Sequence, residues 1–243
     1  MTQEELVGRL LHRDGLMLII DKPAGIPVHR GPKGGENLEA YFDALRFGLP
    51  RSPALAHRLD RDTSGCLVLG RHRKALQRLM QLFKQGRVEK TYWAVVEGDP
   101  ATDGGEIDLP LGRLDADRGW WMKVDPLGLP SRTRWRALGR ASPEGKPLAF
   151  VELEPLTGRT HQLRVHCAAM GFPIFGDDIY GNEASQRRAR QIKFVPRADA
   201  PGLQLHAREV VVPISKNKEP VRVSAPVPAH LRARMRLCGW NGA

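Results

Sequence analysis

Short apolar runs bounded by turn-forming residues are the main feature of the hydrophobic pattern along this chain. Such runs are typical of buried strands, which need only about four to eight residues. Residues 90–96 are also rich in aromatic and β-branched side chains, which favour strands. The pattern predicts strands over residues 16–25 (ending in a loop), 66–69, 90–96, 150–154, 203–213 and 221–223.

Helical periodicity occurs in three further segments. Residues 74–83 predict a helix that ends at Gly86. Another helical stretch is predicted after Thr157-Gly158 and runs to Met170. The apolar stripe predicted for residues 74–83 consists of Ala75, Leu76, Leu79, Met80 and Phe83. A short helix is predicted over residues 37–47, with Leu38, Tyr41, Leu45 and Phe47 roughly on one side.

The remaining segments are rich in Gly, Pro and Asp. Residues 99–130 predict hairpins and loops, in which Trp120-Trp121 packs a hairpin against the body or, alternatively, stacks on a base. Pro226 and Pro228 introduce a tail. Strands and helices mix without regular βαβ alternation. We therefore expect the α+β class, with a mixed or antiparallel central sheet.

Charge and composition narrow the class of protein. The 243 residues carry a formal net charge of +11, which favours a polyanionic partner such as nucleic acid, with a merely basic soluble protein as the alternative. No apolar run approaches the roughly 20 residues that span a bilayer, and the N-terminus lacks a secretory pattern. Three widely spaced cysteines indicate reduced thiols and a cytoplasmic location. We expect one domain, residues 1–243.

The densest group of functional side chains lies in residues 57–65, directly before a predicted buried strand. There Asp60 lies between Arg58 and Arg61, and neighbouring guanidiniums favour an ionised carboxylate. An oriented carboxylate can attack an anomeric carbon or act as acid or base at a glycosidic bond. A solvated turn is the alternative interpretation of this segment.

Residues 157–166 form a second dense segment. On a helix of about 100° per residue, Arg164 lies about 140° from Arg159. Both arginines can therefore reach one small site only if Arg159 precedes the helix, which Thr157-Gly158 allows. His161 and His166 are five residues apart, unlike the metal-binding H-E-x-x-H pattern, and we predict no metal site.

These segments, with a third, resemble the RluA family of pseudouridine synthases. The motifs are His57-Arg-Leu-Asp60 with Thr63-Ser-Gly65, Lys90-x-Tyr92-x-Ala94-x-Val96-x-Gly98, and Gly158-Arg-Thr-His-Gln-Leu-Arg-Val-His166. Further landmarks are Asp21-Lys-Pro-Ala-Gly25, Gly176-Asp177 with Tyr180, and Leu205-His-Ala207. The resemblance covers residues from about 10 to 226 in order.

The resemblance implies a role for each matching residue. Asp60 matches the catalytic aspartate, Tyr92 the tyrosine that packs on the target base and helps remove the C5 proton, and Arg164 the basic partner of the aspartate. Arg58 matches the arginine that holds the nucleotide out of its stack. The other substrate contacts implied by these motifs are His57, Thr63, Arg159, His161 and Gln162.

The resemblance also implies a central sheet flanked by helices, an active-site cleft between two lobes, and isomerisation of uridine in a stem-loop of tRNA or 23S rRNA. It implies no cofactor, and we expect a monomer. Runs that could contact RNA are Arg71, Arg73, Lys74 and Arg78; the cations of residues 187–197; and Arg232, Arg234 and Arg236. Gly128 to Thr133 departs from the family's usual Gly-Lys-x-Ala-x-Thr. The alternatives are a non-catalytic RNA-binding protein and a nucleoside-cleaving enzyme.

Overall fold

A computed structural model describes residues 1–31, 34–115, 120–182, 202–215 and 217–242. The basic run predicted over residues 187–197 lies outside the described residues. By its internal packing the chain divides into two compact units, which are described separately. No helix in the described ranges is long and apolar enough to cross a membrane.

Strands and short helices alternate irregularly along the chain. The strands are β1 (Leu10–Arg13), β2 (Met17–Lys22), β3 (Ala54–Leu55), β4 (Ser64–Gly70), β5 (Glu89–Glu97), β6 (Gly104–Asp108), β7 (Leu111–Arg113), β8 (Met122–Val124), β9 (Arg132–Ala141), β10 (Leu148–Pro155), β11 (Leu205–Val212) and β12 (Val221–Ser224). The α-helices are α1 (Gln3–Val7), α2 (Arg73–Lys84), α3 (Gln162–Ala169) and α4 (Ala229–Leu237), and 3₁₀-helices span Leu38–Leu45 and Pro143–Gly145.

The first unit comprises Met1–Lys90 and Ala207–Val227. Its strands run in the order β1, β2, β4, β11, with β3 paired to β4 and β12 paired to β11. All seven residues of β4 are buried, as the continuous apolar run in its sequence predicts for a strand covered on both faces. Helix α2 packs Leu79 and Leu82 into the core beside Val68.

The second unit comprises Thr91–His206 and Pro228–Ala243. Its strands run in the order β5, β10, β9, β6, and β7 pairs with β8 in a separate hairpin. Helix α3 packs Leu163 and Cys167 into the core against Phe172. The strand registers are antiparallel in both units, which confirms the predicted α+β class with an antiparallel sheet.

The helix over residues 74–83 is confirmed, but its predicted core face is partly wrong. Met80 is 51% exposed, because the buried stripe of α2 runs through Ala75, Leu79 and Leu82. The helix predicted over residues 37–47 is a 3₁₀-helix that buries Phe42 between Leu38 and Leu45 instead of Tyr41.

The segment after Pro228 is also different from its prediction. It was expected to be a tail with alternating arginines, and it forms helix α4 instead. Leu231 and Met235 are buried, four residues apart, so one face of α4 packs inward while Arg232 and Arg236 are exposed. The guanidinium of Arg234 lies 4.0 Å from the ring centroid of Phe175. With only these two buried apolar residues, the helical periodicity of the segment is too weak to recognise in the sequence.

Candidate active site

Asp60 lies in irregular backbone at the entrance to β4. Its backbone carbonyl accepts the N–H of Thr63 at 3.2 Å, which closes a tight turn over the three residues that follow it. Asp60 is half-buried, whereas Arg58 is exposed. Within the turn, Nε of Arg61 donates to Asp62 at 3.1 Å, so the second carboxylate of the segment has its own cation.

A buried lysine fixes the backbone of this turn. Lys22, at the end of β2, is 0% exposed, and its ammonium donates to the carbonyls of Pro23, Arg61 and Thr63 at 2.8, 2.8 and 2.9 Å. Three acceptors satisfy the three N–H donors of an ammonium group. Burial nevertheless lowers the pKa of Lys22 to about 7. Lys22 therefore binds the Asp60 turn at two of its carbonyls, and the N–H of Gly25 adds a bond of 3.0 Å to the Arg61 carbonyl.

Glycine is required for steric reasons at the position that follows the turn. Gly65 has φ of +107°, and a Cβ there would lie 2.2 Å from the carbonyl oxygen of Ala207. No other residue can place the start of β4 this close to the Ala207 backbone. Thr63-Ser-Gly65 is thus a packing requirement that brings the Asp60 turn against the sheet.

The imidazole ring of His57 makes its contacts with other residues of the protein. Its Nε2 accepts the N–H of Val68 at 3.0 Å, and its imidazole stacks on Phe83 with 4.2 Å between centroids. Burial of the ring, with a smaller effect from the nearby Lys90 ammonium, lowers the pKa of His57 to about 3. The imidazole is therefore neutral at physiological pH, and it braces the segment that leads into Asp60.

In the second unit, Arg164 and Asp177 form a buried ion pair. Nε and one terminal nitrogen of Arg164 donate to the two carboxylate oxygens of Asp177 at 2.7 and 2.8 Å, and the side chains are 7% and 0% exposed. Burial alone would raise the pKa of Asp177, but the bonds and charge of Arg164 hold it below its usual value. The guanidinium orientation is fixed by this two-point contact.

Tyr180 links Arg164 to the start of α3. Its backbone N–H donates to Asp177 at 2.9 Å, and its ring centroid lies 5.2 Å from the Arg164 guanidinium carbon. Its hydroxyl accepts the N–H of Met122 at 2.9 Å and lies 2.8 Å from Nδ1 of His161. His161 has φ of +53° and is mostly buried, so tertiary contacts hold it in a left-handed conformation.

Gln162 organises the segment before α3. Its amide oxygen accepts from Arg159 N–H at 3.0 Å and Thr157 hydroxyl at 2.7 Å, and its NH₂ donates to Arg132 carbonyl and Thr133 hydroxyl. Because α3 begins at Gln162, Arg159 precedes the helix, as the geometric condition stated for the two arginines requires. Arg159 is exposed and donates from Nε to the Pro130 carbonyl at 3.2 Å.

Tyr92 lies on β5, opposite Leu153 of β10. It is half-buried and packs against the core of the second unit. The preceding motif residue, Lys90, lies at the end of the first unit, and burial lowers its pKa to about 8. The structure thus fixes the backbone of Tyr92 in a strand, with part of its side chain accessible.

The basic segments differ in how their charges are used. Arg71 donates to the carbonyls of Asp14, Arg46 and Phe47, so it supports the fold. Helix α2 contains no acidic residue, and its exposed cations are Arg73, Lys74, Arg78 and Lys84. On β9, by contrast, Arg132, Arg134 and Arg136 pair with Glu106, Glu154 and Glu152.

Lys22, Asp177 and Tyr180 were identified in the sequence only as landmarks, without roles. The signal for Lys22 was a cation at the end of an apolar strand, where burial demands partners. Among the described residues, no cluster of three or more His, Cys, Asp or Glu side chains could hold a metal ion.

Comparison with known proteins identifies relatives over nearly the whole chain. The family model for RNA pseudouridylate synthase matches residues 16–169. An uncharacterised RNA pseudouridine synthase of Zymomonas mobilis is 41% identical over 225 residues, covering 92% of this chain and 95% of the relative. A ribosomal large subunit pseudouridine synthase C of Vibrio cholerae is 35% identical, covering 93% of this chain and 68% of the relative.

A solved structure supports the same relationship. Human RNA Pseudouridylate Synthase Domain Containing 4 aligns with a TM-score of 0.76 and 26% sequence identity, over 97% of this chain and 95% of the human chain. The chain therefore belongs to the RNA pseudouridylate synthase family, whose members are isomerases that convert uridine in RNA to pseudouridine.

Proposed function

We propose that this chain isomerises a uridine of structured RNA with Asp60 as its catalytic carboxylate. The observation that carries the proposal is the anchoring of the Asp60 turn by the buried ammonium of Lys22. A nucleophile or base works best when its geometry is set before substrate binds. A solvated surface turn has no need of a buried cation beneath it, so this anchoring favours catalysis over the solvated-turn interpretation.

The reaction balances without any external reagent. The C1′–N1 bond of the flipped uridine breaks, the uracil turns, and a C1′–C5 bond forms. The C5 proton leaves and N1 gains a proton, so nothing is oxidised and no water is consumed. In this proposal Asp60 either bonds transiently to C1′ or removes a ribose proton, Tyr92 packs on the base and assists proton removal at C5, and Arg164 supports the charge of the carboxylate.

The six predicted substrate contacts divide by their surroundings. Arg58 and Arg159 are exposed, and we assign them to nucleotide contacts. His161 is 8% exposed beside an exposed tryptophan, and we keep it as a contact at the edge of the nucleotide. We assign His57, Thr63 and Gln162 to holding the loops, because Thr63 is buried, its carbonyl accepts from Lys22, and the other two side chains bond within the protein.

The substrate we propose is a stem-loop of 23S rRNA or tRNA. The ribosomal relative supports the first by its name. Flipping a base costs a few kcal/mol, and phosphate contacts can offset that cost. We propose α2 as one phosphate-binding surface, because its cations have no acidic residue on their own helix.

We also propose that the whole chain is a single catalytic domain that acts as a monomer. We assign it to the cytoplasm. The three buried, unpaired cysteines support that assignment, since cytoplasmic thiols remain reduced.

Tritium release from RNA labelled at uracil C5 tests the proposal. We expect wild-type protein to release tritium from 23S rRNA or tRNA transcripts. Asp60→Ala should lower the rate of release at least about 1,000-fold, which is within the range for removing a covalent catalyst. Asp62→Ala is the matched control, because it removes a carboxylate of the same turn. Equal loss in the two variants, or turnover by Asp60→Ala, would remove Asp60 from the catalytic role. Appearance of free uracil would indicate the nucleoside-cleaving alternative.

A further inference from the structure

The β7–β8 hairpin carries a large exposed aromatic side chain. Trp120 is 56% exposed, and it lies two residues before Met122, where β8 begins. A single exposed apolar side chain is ordinary on a protein surface, so the surroundings of Trp120 decide whether it has a role. Trp120 contacts its neighbour Trp121 at 5.7 Å and His161 at 5.3 Å between ring centroids, with interplanar angles of 74° and 80°. It therefore extends an aromatic cluster outward from His161.

The hairpin is held rigidly at its base. Leu111 and Leu129 exchange two backbone hydrogen bonds of 3.0 and 2.9 Å, and Leu114 N–H donates to the Trp121 carbonyl at 2.8 Å. The Tyr180 hydroxyl binds both Met122 N–H and the His161 ring, as described above. A tryptophan side chain has only two torsion angles, so it loses little conformational entropy when a ligand stacks on it.

The charges around the hairpin indicate which ligand fits. Arg113 is exposed on β7 opposite Met122, and exposed Arg159 donates to the carbonyl of Pro130, which follows the Leu129 that bonds with Leu111 of β7. Among the described residues here, a carboxylate oxygen of Asp125, just after β8, lies 3.9 Å from the Lys123 ammonium, and Asp115 also has a partner. Aromatic faces flanked by arginines are the usual means of holding unpaired bases of single-stranded RNA.

We propose that Trp120 is a recognition residue that stacks on an unpaired nucleobase of the RNA substrate, next to the nucleotide bound at His161. The inference rests on the proposed RNA substrate and adds a specificity-determining contact to it. A second copy of the chain is the competing occupant of an exposed indole. The flanking Arg113 and Arg159 favour RNA, because an exposed guanidinium can pair with a phosphate or stack on a base next to an aromatic ring.

Equilibrium binding of a defined probe tests the stacking contact. The probes are a fluorescein-labelled twelve-nucleotide oligouridylate and a twelve-base-pair RNA duplex, with Asp60→Ala protein as the parent so that no uridine is converted. We expect Trp120→Ala to weaken oligouridylate binding about 5- to 100-fold, the effect of losing one stacked base. Trp120→Phe retains a ring and should stay within about threefold of the parent. Duplex binding should change less than twofold, because duplex bases are already stacked.

Leu127→Ala is the matched control three residues after β8, because Leu127 is 97% exposed and has no aromatic ring. It should leave oligouridylate binding unchanged. A parent that does not bind the oligouridylate, or a Trp120→Ala protein that binds it as tightly as the parent, would overturn the proposal. So would concentration-dependent sedimentation that Trp120→Ala abolishes while RNA affinity is unchanged, since that identifies a second copy as the occupant.

A spectroscopic measurement gives an answer even if Trp120→Ala folds poorly. The parent is labelled with 5-fluorotryptophan, and the Trp120→Phe protein assigns the Trp120 resonance. Saturating oligouridylate should shift that resonance, and an unmoved resonance would contradict stacking. Tritium release by wild-type protein distinguishes failure of the stacking contact from failure of the proposed function. Turnover with unaltered oligouridylate binding by Trp120→Ala refutes only the stacking contact, whereas absence of turnover refutes the proposed function.

Discussion

The buried pair of Arg164 and Asp177 makes the sharpest prediction about how the second unit holds its arginine. The substitution Asp177→Asn preserves the shape of the side chain but removes its charge. It removes the negative charge that accepts two hydrogen bonds of 2.7 and 2.8 Å from a guanidinium that is only 7% exposed. Removing one partner of such a pair typically costs about 3–5 kcal/mol of unfolding free energy.

The geometry places the expected loss near the lower end of that range. The Oδ1 atom of Asp177 also accepts the N–H groups of Ile179 and Tyr180, both at 2.9 Å, and an asparagine oxygen can still accept them. We therefore expect Asp177→Asn to lose about 3 kcal/mol in urea unfolding at pH 7. Arg164→Met should lose a similar amount. The double variant should lose less than the sum by about 2 kcal/mol, because the two single variants disrupt the same pair.

The pH dependence follows from the lowered pKa of Asp177. A carboxyl whose folded pKa lies below its unfolded value of about 3.9 contributes stability above that value and loses it as pH falls through the folded pKa. The difference between wild type and Asp177→Asn should be constant from about pH 7 to 5 and shrink below about pH 4.

Two results would refute this reasoning. The first is strict additivity of the two single variants, which would mean that the pair is not coupled in the folded protein. The second is an unfolding difference that grows as the pH falls below 4, because the sign of the linkage excludes it.

Two further predictions concern the Asp60 turn. Lys22→Met should lower tritium release at least about tenfold and the unfolding free energy by about 2–3 kcal/mol, because the buried Thr63 carbonyl loses its Lys22 donor, whereas the Arg61 carbonyl keeps the N–H of Gly25. Since burial lowers the folded pKa of Lys22 to about 7, the cost of burying its charge is present below pH 7 and lost at higher pH, so wild type should gain stability relative to Lys22→Met as pH rises from 7 to 10; a flat difference would contradict this. Gly65→Ala should cost at least about 3 kcal/mol in urea unfolding, whereas Gly48→Ala, also at positive φ but with open space around it, should cost about 1 kcal/mol; equal costs would show that the Ala207 contact is not limiting.

The fold class was predictable because continuous apolar runs mark the buried strands in the sequence. Every residue of β4 is buried, and the Cys66 to Leu69 run in the sequence has no polar interruption. Helix α4 was not predictable in the same way, since only Leu231 and Met235 anchor it among several arginines. Two anchors do not produce a periodicity that stands out from a charged tail.

The contacts that hold the candidate catalytic loops could not be predicted, because their partners are distant in sequence. Lys22 binds carbonyls 39 and 41 residues further on, and Tyr180 binds an N–H that lies 58 residues before it. Motif resemblance marked both residues as landmarks. Only packing shows that one carries the backbone after Asp60 and the other joins α3 to the β7–β8 hairpin.

The same distinction separates residues that bind substrate from residues that shape the site. A buried amide such as Gln162 already gives its donors and acceptors to four partners, so contacting RNA would require breaking bonds that cost about 1 kcal/mol or more each. The exposed guanidinium of Arg58 faces no such cost. Polar residues of one motif can therefore either bind substrate or shape the site. Whether their hydrogen bonds are already satisfied within the protein, more than their chemical type, decides which of them remain available to the RNA.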